Sequence, residues 1–329
     1  MISRRKTQIL NQEVIELNGS GLHYFPINQH KGEALVPIVK EGDYVKVGQK
    51  IADTEELVSA PVHSSISGTV KEVTDDGVIV IENDFKNEIS QTIQPIEKPE
   101  NLKKREKLWV IRDAGITDSE IPAHIKFNPE HQAQSLIITT AEHEPYVTSC
   151  RQRIIDNAAQ IIEGIGIVRS VLDVKTAYIG IEKNKRDAID SLRLAARYNE
   201  AVEILPLKTK HLKNNLVLAA SGKKIPKDKT PEDFGIIITD IETVYNVWKA
   251  FKQGMPVTET LVSVSGDAVN NPGNYKVPLG MTVSELINMA GGLKAEPKQI
   301  IMGSYTTGKV IENTDVPVIK NTSTIIALQ

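Results

Sequence analysis

The sequence predicts a multidomain α/β protein: a small all-β unit, then an α/β layer on a largely parallel sheet, then a β-hairpin followed by one helix. Three observations predict it. Short β-like runs broken by glycine fill residues 25–96, apolar runs alternating with helix-spaced apolar residues come next, and two strand-like runs precede a capped helix after residue 260. At roughly 150 residues per domain, a chain of 329 residues calls for more than one core.

In the first part, Ala34–Lys40, Tyr44–Val47, Lys50–Ala52, Ser67–Val70 and Gly77–Glu82 are short runs with Gly42, Gly48 and Gly68 at or between them. Turn signals at this density favour an all-β unit. The three glycines fit tight turns with positive φ, and Val39, Val45, Val47, Ile51 and Val70 fill a thin core. The polar stretch Glu97–Lys107, with Pro99, predicts a linker. Beyond it, the apolar runs Ser135–Thr139, Thr176–Ile181, Ala201–Leu205 and Gly235–Ile238 predict strands. Between the first two of these, Arg151–Val171 places Ile154, Ile155, Ala158, Ile161, Ile162 and Ile165 at helix spacing. Strands alternating with helices build a parallel sheet. In the last part, Leu261–Gly266 and Val269–Gly280 predict two strands around Pro272-Gly273-Asn274. Thr282 then fits an N-cap, Glu285 the first turn and Gly291 the helix end. The expected organisation is an N-terminal segment 1–24, a β domain 25–96, a linker 97–107, an α/β domain 108–255 and a final module 256–329.

Composition excludes several functions. With 40% apolar and 25% charged residues the chain is expected to fold. A net charge of −3 and an aromatic content of 5% give no platform for nucleic acid. Cys150 is the single cysteine, so neither an intrachain disulfide nor a four-thiolate cluster can form from this chain alone. Apolar stretches such as Leu136–Ile138 fall far short of the ~20 residues that span a bilayer. The basic start Met1–Lys6 lacks the apolar segment of a secretory signal. A cytoplasmic location is expected, with docking on a membrane complex through other proteins. Glu142-His143-Glu144 suggests a metal only superficially, because ligands adjacent in sequence point apart; no metal site is expected, and a strand-end turn or a nucleotide site stand as the readings.

Family likeness enters at specific motifs. Val39–Ala52 followed by Ala60–Val70 resembles the barrel-sandwich hybrid fold of lipoyl and biotinyl domains. Those domains carry their group on a lysine at a hairpin tip. The corresponding Asp53–Ser59 has no lysine, so the module is read as structural or docking. Residues 260–329 resemble the soluble-ligand-binding β-grasp module. The order of modules resembles the C subunit of the Rnf ion-translocating electron-transport complex, and local text agrees. Gln29-His30-Lys31-Gly32 precedes the first unit, Ala60–Gly68 is similar to the family's "APVHAS-SG", and Ala141–Tyr146 to "AECEPY". Ile181–Lys185 is similar to "IEDNK", Val264-Ser265-Gly266 with Pro272 and Asn274 to "VTG…P.N", and Pro317–Thr322 to "PV.K.T".

The resemblance implies a Rossmann-like α/β domain related to the flavoprotein subunit of respiratory complex I. Such a domain takes electrons from NADH through flavin mononucleotide (FMN) and passes them to two four-iron clusters in a C-terminal extension. It places the FMN and NADH region at Lys126, Glu142, Glu144, Pro145, Tyr146 and Lys208; catalytic residues stay unassigned. Three departures bear on it. The flavin loop "GxGGAGFPTHxK" reads Gly115–Lys126 here, keeping Pro122, His124 and Lys126 but carrying Asp118, Ser119 and Glu120 in place of the central Gly-Ala-Gly. Two carboxylates oppose a phosphate. The loop "KYPQGAEKQLI" reads Pro206–Leu216 without its glycine and glutamate, and the sequence ends at Gln329 where the cysteine-rich extension would begin. The expectation is therefore an electron-transport complex subunit with a weakened or lost flavin/NADH site, no iron–sulfur cluster of its own, and other subunits as partners. A non-redox assembly or ligand-sensing subunit, and a cytosolic electron-transfer protein of a proline reductase system, remain alternatives.

Overall fold

A computed structural model describes residues 13–140, 146–208, 212–222, 224–226 and 228–329, with residues 212–214 described by backbone alone. The chain forms two compact units. One comprises residues 1–93, 142–149 and 257–329, the other residues 94–141 and 150–256.

The first unit begins with short strands: β1 (Ile15–Glu16), β2 (Leu22–Pro26), β3 (Val36–Pro37), β4 (Tyr44–Val45), β5 (Lys50–Asp53), β6 (Val62–His63), β7 (Gly68–Val73) and β8 (Val78–Asn83). Strands β2 to β8 make two antiparallel sheets, in the orders β2-β8-β7-β4 and β3-β5-β6. Phe25, Val45, Ile51, Val62, Ile66, Val70, Ile79 and Ile81 fill the thin space between them. Gly42 and Gly48 hold positive φ at turns. Gly68 does not, which corrects the turn expected there: it sits inside β7, where a Cβ would lie 1.9 Å from the Glu82 carbonyl oxygen. It is glycine because the neighbouring backbone leaves no room for a side chain.

The second unit contains α1 (Lys104–Asp113), β9 (Thr117–Asp118), β10 (Ile121–Pro122), α2 (Ala123–Lys126), β11 (Ser135–Thr139), α3 (Ser149–Leu172, whose first residue belongs to the first unit), β12 (Ala177–Glu182), α4 (Arg186–Ala196), β13 (Val202–Leu207), α5 (Leu212–Ser221), β14 (Ile236–Asp240) and α6 (Ile241–Lys252). The polar stretch 97–107 holds a 3-10 turn at Pro99–Asn101 and the first turn of α1, where the Lys103 amide donates to Glu106 at 2.6 Å. The charges there form a helix start rather than bare chain. The sheet is wholly parallel, in the order β13-β12-β11-β14. Its central strand β11 is apolar on both faces, with Leu136, Ile137 and Ile138 fully buried, as helices covering both faces require.

The chain then returns to the first unit with β15 (Glu259–Ser265), β16 (Gly273–Pro278), α7 (Val283–Met289), β17 (Gln299–Met302), β18 (Lys309–Ile311) and β19 (Thr324–Leu328). α7 starts with the expected capping box: the Glu285 amide donates to Thr282 Oγ1 at 3.2 Å and the Thr282 amide to Glu285 Oε2 at 3.1 Å. Its inward face packs Val283, Leu286 and Ile287 with Val262, Tyr275, Val277 and Ile325. The sheet runs β1-β16-β15-β19-β17-β18, so the N-terminal β1 lies parallel beside β16 and completes a sheet made by residues 259–328.

Buried polar bonds join the β module to this sheet. The Tyr24 amide donates to the Gly280 carbonyl at 2.9 Å, Ser65 Oγ donates to the Leu279 carbonyl at 2.5 Å, and the Lys320 amide donates to Gln29 Oε1 at 3.1 Å. The Lys320 ammonium donates to the carbonyls of Pro61 (2.6 Å) and Ala60 (3.3 Å). Three sequence motifs, Gln29–Gly32, Ala60–Gly68 and Pro317–Thr322, thus meet at one seam.

Burial pulls the Lys320 pKa down from 10.5 to about 7, with the Asp53 carboxylate opposing the shift. Between these values the unfolded chain binds a proton that the folded chain does not, so stability rises with pH across that window. Urea unfolding followed by far-UV circular dichroism is expected to show the first unit more stable at pH 9 than at pH 7, and Lys320→Met is expected to flatten the dependence. Both tryptophans, Trp109 and Trp248, lie in the second unit. Their fluorescence transition is the internal control and should not respond to Lys320→Met.

Candidate functional site

In a parallel sheet all strands end on one edge, and ligands gather in the crevice where the strand order reverses. Here β11, β12 and β13 succeed each other outward, whereas β14 lies on the other side of β11. The reversal therefore falls between the carboxyl ends of β11 and β14. Thr139 Oγ1 donates to the Thr239 carbonyl at 3.3 Å, tying these two ends together, and Thr140 Oγ1 donates to the Gly180 carbonyl at 2.9 Å. At the end of β12, Glu182 and Lys185 form a buried ion pair at 3.0 Å.

Asp240 closes β14 and caps α6, accepting from the Thr243 amide at 2.7 Å. Thr243 Oγ1 in turn donates to the Thr117 carbonyl at 3.4 Å, which fastens the β9–β10 hairpin to this helix start. The hairpin pairs Asp118 with Ile121 and Thr117 with Pro122, leaving Ser119-Glu120 as a two-residue turn. Ser119 holds φ +55° there, a backbone shape that favours glycine. Pro122 then leads into α2, whose short turn carries a buried His124 and brings Lys126 back to Asp118. The Lys126 ammonium lies 2.9 Å from Asp118 Oδ2, and Asp118 is only 4% exposed.

The electrostatics follow from this packing. Burial, reinforced by the neighbouring Asp118 carboxylate, raises the Asp240 carboxyl to about 6 against the Thr243 hydrogen bonds that hold it down. Asp118 and Asp240 thus stand together at this edge, and Lys126, which the resemblance assigns to the flavin region, is ion-paired with Asp118.

The sequence-predicted residues fall in different places. Lys126 lines the crevice as described. Lys208 is exposed just beyond the end of β13. Tyr146 belongs to the first unit, where its carbonyl accepts from Ser265 Oγ at 3.1 Å and its ring lies 5.3 Å from that of Tyr305. Glu142, Glu144 and Pro145 lie outside the described residues. Among the described residues there is no group of three or more His, Cys, Asp or Glu poised to hold a metal, and no helix long and apolar enough to cross a membrane. Sequence reasoning passed over Asp240 and Thr243. The signal was present: an aspartate directly after an apolar run and before a helical period is an N-cap pattern.

The raised pKa of Asp240 has a signed consequence. Aspartate titrates at 3.8 in the reference state and at about 6 here, so between those values the folded chain holds a proton that the unfolded chain has released. Stability falls as pH rises through the window, and the penalty is complete above it. Asparagine keeps the cap. Asp240→Asn is expected to stabilise the second unit at pH 7.5 by on the order of 1 kcal/mol and to change little at pH 4, read from tryptophan fluorescence in urea.

Comparison with known proteins covers all three modules. The RnfC barrel-sandwich hybrid domain model matches residues 1–87, the Nuo51 FMN-binding domain model residues 111–249, and the SLBB domain model residues 261–306. The chain is 32% identical over 321 residues to the C subunit of the proton-translocating ferredoxin:NAD(+) oxidoreductase complex of Clostridium ljungdahlii, covering 93% of this chain and 70% of the relative. It is 30% identical over 319 residues to the C subunit of the Na(+)-translocating complex of Acetobacterium woodii, covering 92% and 72%. The C subunit of a Rhodobacter capsulatus ion-translocating oxidoreductase complex is 33% identical, with 92% of this chain and 62% of the relative covered. Among solved structures, an NAD+-reducing NiFe-hydrogenase in the H2-reduced state shares the fold, with a TM-score of 0.56 and 14% identity over 71% of this chain and 49% of the matched one. The barrel-sandwich module, the flavoprotein-like α/β domain and the β-grasp module all find their counterparts, and the chain belongs to the RnfC family, the C subunits of ion-translocating electron-transport complexes.

Proposed function

We propose that this chain serves its electron-transport complex as an RnfC protein whose α/β crevice no longer takes FMN or NADH in the family's way. The observation that carries the reading is the buried Asp118–Lys126 ion pair. It neutralises the lysine and places a carboxylate where the family has bare glycine backbone. Asp240 adds a second acid at the same crevice. Oriented like charges in a partly buried site cost several-fold to orders of magnitude in anion affinity.

On this reading the protein supplies structure and docking rather than its own flavin electron path, and holds no cluster within this chain. It associates peripherally with a membrane complex, on the cytoplasmic face, through other subunits. The functional modules are residues 25–96, 108–255 and 256–329, with 97–107 joining the first two.

Flavin titration tests the proposal. The purified chain, mixed with FMN up to high micromolar concentration, is expected to leave flavin fluorescence unquenched and to show no flavin absorption bleached by NADH. The triple variant Asp118→Gly, Ser119→Ala, Glu120→Gly removes two carboxylates and restores the family's Gly-Ala-Gly. It is expected to tighten FMN binding at least about tenfold, the factor that about 1.4 kcal/mol represents. Stoichiometric flavin in the unaltered chain, reduced by NADH, would overturn the reading.

A further inference from the structure

The tip of the barrel-sandwich module presents a surface that the flavin question leaves untouched. The loop joining β5 to β6, residues 54–61, is where carrier relatives display a lysine. Here it is fixed by its own bonds: Ser59 Oγ donates to the Glu56 carbonyl at 2.6 Å, and the Ser59 amide to the Leu57 carbonyl at 2.9 Å. The Glu33 amide donates to the Val58 carbonyl at 2.8 Å, and the Ala60 amide to His30 Nε2 at 3.3 Å. At its base the Lys320 ammonium holds the carbonyls of Ala60 and Pro61. A swinging arm needs a free tip, and this one is pinned at both ends.

The pinned loop exposes apolar side chains. Leu57 is 63% exposed and Val58 40%; on and just after β3, Val36 is 57% and Ile38 53% exposed. Val36 and Ile38, two residues apart, share one face of that strand, and the Glu33–Val58 bond draws the loop beside its start. Four large apolar residues grouped at one end of a small module mark an interaction surface. Around them the exposed charges are mainly acidic: Glu33, Glu41, Glu55 and Glu56 against Lys31 and Lys40, with Lys50 and Asp53 cancelling in an ion pair at 2.8 Å.

That charge selects the occupant. A membrane's cytoplasmic leaflet is anionic and attracts basic patches, so an acidic rim disfavours lipid. A protein segment with apolar residues flanked by lysine or arginine meets both the centre and the rim. We infer that the Glu33/Glu55/Glu56-rimmed tip of the barrel-sandwich module docks a basic, apolar-faced segment of another protein of the complex. The inference rests on the reading of the chain as a member of such a complex, and its test is independent of the flavin titration, which probes the other unit.

A photo-crosslinking amino acid is placed at Leu57, and separately at Val36, in the full chain expressed in its native host. After irradiation the purified complex is digested and the crosslinked peptides are sequenced. The expected product joins position 57 to a segment of a different protein of the complex that bears lysine or arginine beside apolar residues. Its yield should fall at least fivefold in a Glu55→Lys/Glu56→Lys variant, fall less in Glu55→Gln/Glu56→Gln, and decline with added salt as screened charges require. A lipid adduct, a segment without basic residues, a yield no higher than from a probe at the exposed Tyr198, or indifference to both double variants would overturn it. Both glutamates are exposed, and unchanged circular dichroism shows that the variants fold.

Discussion

A single ammonium group buried against peptide carbonyls decides how far the first unit behaves as one body. Lys320 comes from the C-terminal module, yet its Nζ reaches the carbonyls of Ala60 and Pro61 in the N-terminal one, and its own amide is received by Gln29. A buried lysine without such acceptors would carry the full cost of desolvation. With them, part of that cost is offset, and opening the seam exchanges both bonds for bonds to water. The β1–β16 pairing and the Leu279–Gly280 contacts to Ser65 and Tyr24 join the same two parts of the chain.

On the proposed reading, the second unit needs little change to redirect an old site. Its sheet, strand order and helix starts remain those that place a nucleotide at the carboxyl edge of a parallel sheet. On the proposed reading what differs is charge: Asp118 lies within ion-pair distance of Lys126, and Asp240 sits near enough to feel that carboxylate. Scaffold and chemistry are separable: the fold persists because its apolar strands do, whereas the site turns on a few polar residues at their ends.

Much of the fold was legible because its signals are local and physical. The buried strands announced themselves as apolar runs, each ending within a few residues of its expected limit, and Thr282 with Glu285 marked the last helix by a capping pattern that the structure reproduces. The family motifs were legible as text, but their role was not. Gln29 and Ala60-Pro61 stand hundreds of positions from Lys320, and only the folded chain shows that they bond to it. Gly68 misled for a related reason: a glycine demanded by a neighbouring carbonyl looks, in one dimension, like a glycine demanded by a turn. At the site, Asp118 was legible as an acid in the loop, and the structure adds that it pairs with Lys126.

The interrupted layout of the first unit also governs how the protein is made. Its strands come from residues 15–83 and 259–328, with nearly the whole second unit inserted between them. A ribosome therefore releases the α/β domain able to fold while β1 still lacks β16 and the Ala60–Pro61 carbonyls still lack their lysine. Contacts spanning such separations form late and slowly. The N-terminal module must pass through synthesis with its seam face uncovered until residues 259–328 follow the second unit.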